Sequence, residues 1–66
     1  MNYVKVELDM AVKLFSFGIE IFDENKNICE ELYLITFDGM QCVVLNGEFH
    51  DLVTFDTDLF ISADYD

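Results

Sequence analysis

The sequence predicts an all-β domain: a small antiparallel meander of five or six strands, arranged as a twisted sheet or a small barrel. Three observations carry that prediction. Apolar and polar residues alternate through much of the chain, the period of two that marks half-buried strands. Asp38-Gly39 and Asn46-Gly47 are strong hairpin signals, because these residue types tolerate the positive φ that two-residue turns require. There is no proline and no low-complexity linker, so residues 1–66 read as a single domain.

At the start, Val4, Val6, Leu8 and Met10 share one parity, while Tyr3, Lys5, Glu7 and Asp9 share the other. This reads as a strand. A helix through residues 4–15, built on Val4, Leu8, Ala11, Val12 and Phe15, ranks second. "KLFSFGIEIF" then places Phe15, Phe17, Ile19 and Ile21 on one face, with Gly18 marking a bulge or a close backbone approach. "DENKN" (Asp23 to Asn27) has the polarity of a turn, and "ICEELYLITF" resumes β-rich composition. "MQCVVL" lies between the two hairpin turns as a short, largely buried strand, and "EFHDLVTF" follows the second. The closing "FDTDLFISADYD" alternates to its last residue. Twelve residues would be long for one strand, so a break is expected near Asp56-Thr57-Asp58. A helix over residues 52–63, aligning Leu52, Phe55, Leu59 and Ala63, is the alternative.

A chain of 66 residues is close to the lower limit for independent folding and buries only about 60% of its unfolded surface. Yet 53% of its residues are hydrophobic, including seven Phe and three Tyr. That apolar content points to burial between subunits, with a homodimer as the expected form. Cys29 and Cys42 lie thirteen positions apart, a spacing that fits no zinc or redox motif. They read as small buried hydrophobes, with a cross-strand disulfide as the alternative. No apolar run approaches the length of a membrane-spanning helix, and no signal peptide is visible. No membrane association is expected, and the cytoplasm (the host's, for a viral protein) is the expected location.

Charge is the dominant feature. Fourteen acids against three lysines, with no arginine, give a net charge of −11. Residues 1–26 hold five of the acids and all the lysines, whereas residues 27–66 hold nine acids and no Lys or Arg. Direct binding to nucleic acid would require the opposite sign. A net charge of magnitude about 2–8 suffices to keep a small domain soluble, and this chain exceeds it; that the acids only keep an apolar small protein soluble is the alternative reading.

No constellation supports catalysis. His50 is followed by Asp51, but neighbours on a strand point to opposite faces, and no third member of a triad is evident. Asp56-Thr57-Asp58 and Glu30-Glu31 invite calcium, yet "DTDLFISADYD" lacks the glycine of a calcium loop and carries apolar residues where ligands should be. A glycosidase pair would need a sugar cleft that so short a chain has little room to build. Neither an enzymatic activity nor a cofactor or metal is expected.

The acids themselves remain. If Phe55, Thr57, Leu59 and Ile61 face the core, Asp56, Asp58, Asp64 and Asp66 form a row on the other side. Same-face neighbours on a strand stand about 6.6–6.8 Å apart, and each DNA strand carries a charge every ~3.4 Å. Two or three such rows would approach the charge density of a phosphate backbone. In size, charge, β-rich pattern and interleaved aromatics, the chain resembles the small acidic inhibitors, mostly phage-encoded, that imitate DNA. Those proteins share no motif and occur on unrelated folds. The resemblance implies a stoichiometric inhibitor of a basic DNA-binding protein such as a sliding clamp, nuclease, glycosylase or CRISPR effector. A neutralising partner of a basic toxin or nuclease, without DNA mimicry, is the alternative, and a small structural or metal-binding domain comes third. The residues expected to meet the partner are Glu30, Glu31, Asp38, Glu48, Asp51, Asp56, Asp58, Asp64 and Asp66, with Phe60 and Tyr65 as aromatic anchors.

Overall fold

In the computed structural model, which describes residues 2–63, the chain order is β1 (Tyr3–Val6), α1 (Leu8–Ser16), β2 (Leu32–Phe37), β3 (Met40–Leu45), β4 (Glu48–Asp51) and β5 (Leu59–Ser62). Two open antiparallel sheets result, a ribbon of β1 with β5 and a meander in the order β2-β3-β4. The fold is therefore β-rich with one helix, rather than all-β. It is not a closed barrel, and only three of the five strands form the meander.

The helix overturns the strand expected at the N-terminus beyond Val6. Leu8, Ala11, Val12 and Phe15 follow the i, i+3, i+4, i+7 spacing of an amphipathic helix. Ala11 is fully buried, and Leu8, Val12 and Phe15 pack against the core around it. Met10, assigned by parity to the buried face, is exposed instead. Asp9 in the first turn and Lys13 in the last complement the helix dipole. The end is closed by the Gly18 N–H donating to the Phe15 carbonyl and the Ile19 N–H to the Leu14 carbonyl, both at 3.0 Å. This is a Schellman motif with Gly18 in the left-handed region at φ +88°. Gly18 is thus a helix terminator and not a bulge. Of the four residues expected on one strand face here, Phe17 and Ile19 are exposed while Ile21 is fully buried.

The meander follows its turn chemistry. Asp38 and Gly39 have φ of +54° and +76°, and Asn46 and Gly47 have +52° and +83°. Both loops therefore have the type I′ signature of positive φ at each central residue. They set the registers Phe37↔Met40 and Leu45↔Glu48. Leu32, Val43 and Leu45 then share a face that joins Ala11, Ile21, Cys29 and Leu59 in the core.

The remaining strands pair at long range, from Tyr3↔Ser62 to Val6↔Leu59. The expected break at residues 56–58 is present, and β5 begins at Leu59. Parity survives there: Leu59 is buried and Ile61 packs on the core, while Asp56 is exposed. Among residues 21–29, reciprocal 2.8 Å hydrogen bonds join the Phe22 and Phe60 backbones, and the Cys29 N–H donates to the Ile21 carbonyl. The 23–27 turn forms as expected. The Asp23 carboxylate accepts the N–H groups of Asn25 and Asn27 at 2.9 and 3.0 Å.

A Cβ on Gly18 would meet nothing within 4 Å, so Gly18→Ala tests backbone strain alone. The variant should lose about 1–2 kcal/mol of unfolding free energy with an unchanged denaturant slope, as read by urea titration.

Candidate functional site

Asn46 organises an acidic corner of the described residues. Its positive φ turns β3 into β4, and its side-chain Oδ1 accepts the backbone N–H groups of Glu30 and Glu31 at 2.8 and 3.2 Å. Its own N–H donates to the Glu31 carbonyl at 2.9 Å. The Glu30-Glu31 pair is thereby fastened beside the turn that leads into Glu48. The Glu31 carboxylate reaches to 4.0 Å from where a Cβ on Gly47 would sit.

On the core side of this turn, an open groove is lined by Asp23, Glu24 and Glu48 together with Asn46, His50 and Thr57. Asp23 and Glu24 belong to the 23–27 turn, which the Phe22–Phe60 backbone bridge ties to β5 of the ribbon, and they line the groove together with the meander residues. Charge counting missed both, because they fall in the lysine-bearing first 26 residues and read as a solvated turn. Nothing local in "DENKN" reveals where that turn lands.

The other expected partner-binding residues are dispersed. Asp38 lies in the β2–β3 turn, at the opposite end of the hairpin. Asp51 ends β4 on the outer face of the meander, where its Oδ1 accepts the Val53 N–H at 2.9 Å. Asp56 is exposed in the connection to β5. Asp58 forms an ion pair with Lys5 across the ribbon at 3.1 Å. Phe60 is half-buried, with the Lys26 ammonium 3.9 Å from its ring centroid. Asp64, Tyr65 and Asp66 lie outside the described residues. Within residues 55–63, the acidic row reduces to exposed Asp56 and the paired Asp58.

The chemistry of the groove is electrostatic. His50 Nε2 is buried and makes no hydrogen bond, with Glu48 Oε1 3.8 Å away and the Phe55 ring packed edge-on against the imidazole. Asp51, its neighbour, points to the other face of the sheet. No group of three metal-ligating side chains occurs among the described residues. Cys29 and Cys42 are both buried free thiols, so the alternative of a disulfide is not realised. Burial, and secondarily the Asp23 carboxylate, pushes the Cys29 thiol pKa up.

Comparison with protein families, curated proteins and solved structures finds no match for this chain. Among the described residues no helix is long and apolar enough to cross a membrane.

Two outcomes follow from this geometry. Asn46→Gly keeps the positive φ but deletes the side-chain acceptor. It should cost about 1–2 kcal/mol in thermal unfolding and increase amide exchange at Glu30 and Glu31. The raised Cys29 pKa means that the unfolded chain releases this proton first. Stability should therefore fall as pH rises past the ordinary thiol range, and Cys29→Ala should remove that part of the slope in a pH series of denaturation curves.

Proposed function

We propose that the protein is a stoichiometric acidic inhibitor that occupies the basic DNA-binding surface of a DNA-processing or defence protein in place of DNA. The observation that carries this reading is the segregation of sign: nine acids and no Lys or Arg from residue 27 onward. Lys5 is paired with Asp58, and Lys26 lies over Phe60 with its ammonium 3.5 Å from the Glu24 carbonyl oxygen. A cationic partner approaching Glu30, Glu31 and Glu48 therefore meets carboxylates from the stretch that holds no Lys or Arg. Such a surface accelerates encounter with a basic cleft and disfavours neutral or acidic competitors. Asp38 and Asp56 extend the field to the β2–β3 turn and the connection to β5.

This assignment moves the centre of the interface from the closing segment to the Asn46 corner. Asp58 and Phe60 already have partners within the chain, and withdrawing them would cost the contacts they make. The groove is open and lined by three carboxylates, which suits a cationic side chain reaching in from a larger surface.

Affinity capture from lysate followed by competition with duplex DNA tests the proposal. The captured target should bind either this protein or DNA, never both. A target that holds both together would make the protein a neutralising partner of a basic toxin or nuclease instead. Glu31→Gln combined with Glu48→Gln should slow association roughly tenfold at low ionic strength, with the difference vanishing near ~1 M salt, where the Debye length falls to ~3 Å. Unchanged association kinetics would remove the electrostatic mechanism.

A further inference from the structure

The outer face of the meander is apolar, and several of its large side chains stand in water. The registers place Tyr33, Ile35 and Phe37 of β2 beside Val44, Cys42 and Met40 of β3, with Phe49 and Asp51 of β4 completing the face. An antiparallel sheet with one solvated face should alternate apolar-in and polar-out. Here "LYLITF" and "MQCVVL" read as strands covered on both faces. Val44 is only 1% exposed and Cys42 9%, yet neither belongs to the core cluster on the opposite face. They are buried in a second cluster in which the rings of Phe37 and Phe49 meet edge to face at 5.8 Å across the central strand. The tops of this cluster remain in water: Phe37 is 61% exposed, Phe49 56%, Met40 52% and Tyr33 40%.

We infer that this face is the contact between two copies of the chain, packed sheet against sheet about a two-fold axis. Charge selects the occupant. The face carries one carboxylate, Asp51, in a chain of fourteen acids, and that side chain is turned to accept the Val53 N–H. A basic partner drawn by the rest of the surface finds little counter-charge here. A second copy presents the same nearly uncharged apolar face. At about 200 Å² per ring, the exposed parts of Tyr33, Phe37 and Phe49 alone leave roughly 300 Å² in water. Met40, Ile35 and the polar rim carry the contact toward the ~800 Å² per partner of a standard interface. Because a two-fold contact uses the same patch twice, one face suffices. Sheets so packed would lie ~10 Å apart.

Sedimentation of the full chain over a concentration series tests this. The expected species has twice the 7.7 kDa chain mass. Its self-association should tighten severalfold as salt rises from ~0.1 to ~1 M, because two copies of net charge −11 repel less when screened. Binding to a basic target weakens under the same change, so failure of this inference and failure of the proposed inhibition are separately visible. Phe49→Gln and, separately, Phe37→Gln should shift the chain to monomer with circular dichroism unchanged. Phe17→Gln, at an exposed site just after the helix, should leave the dimer intact. A chain that stays monomeric at every salt concentration overturns the inference. So does a dimer insensitive to both face substitutions.

Discussion

Repulsion among carboxylates is the constraint under which the rest of this structure is assembled. A net charge of −11 on 66 residues opposes compaction, and no charged or polar residue is buried in the described chain. Among the described residues no acid is buried, and the cohesion must come from a small core. That core is built from Ala11, Ile21, Cys29, Leu32, Val43, Leu45 and Leu59, contributed by the helix, both sheets and the irregular middle segment. Each fully buried Leu, Ile or Val is worth about 1.5–3 kcal/mol. Its loss would be felt across several elements, because no single sheet closes a core alone.

The same constraint explains how the surface divides. Backbone and side-chain bonds at Asn46 gather carboxylates at one corner, where an external cation is the natural complement. Two of the three lysines make local contacts near the ribbon, where Lys5 holds Asp58 and Lys26 lies over Phe60. The outer meander face is left nearly free of charge, so apolar contact there is not opposed by nearby like charges. An electrostatic surface and a hydrophobic one can therefore coexist on a very small domain and respond oppositely to salt.

Local and non-local information separate clearly in this chain. The two hairpins were legible because Asp38-Gly39 and Asn46-Gly47 satisfy a backbone requirement within two residues. The Asp23 turn was legible for a similar reason, since its carboxylate caps N–H groups two and four positions away. The helix was not resolved, because Leu8 and Met10 in its first turn continue the period of two that Val4 and Val6 set in β1. Asp9, Lys13 and Gly18 were the signals available for it: charges suited to the two ends of a helix dipole, then a glycine at the position that terminates it. At the candidate site, Glu30, Glu31 and Glu48 were identifiable as acids beside turn or strand boundaries. Asp23 and Glu24 were not, since their proximity depends on a bridge between residues 22 and 60.

By itself, then, the sequence determined the two hairpins of the three-stranded meander, the interruption before Leu59 and the one-signed charge of the last forty residues. Each follows from backbone preferences or composition over a few neighbouring positions. Tertiary structure alone decided that β1 pairs with β5, that residues 8–16 coil rather than extend, and which carboxylates stand together. Those outcomes depend on burying one shared core, where contacts between distant segments outweigh the weak and nearly balanced preferences of any short stretch.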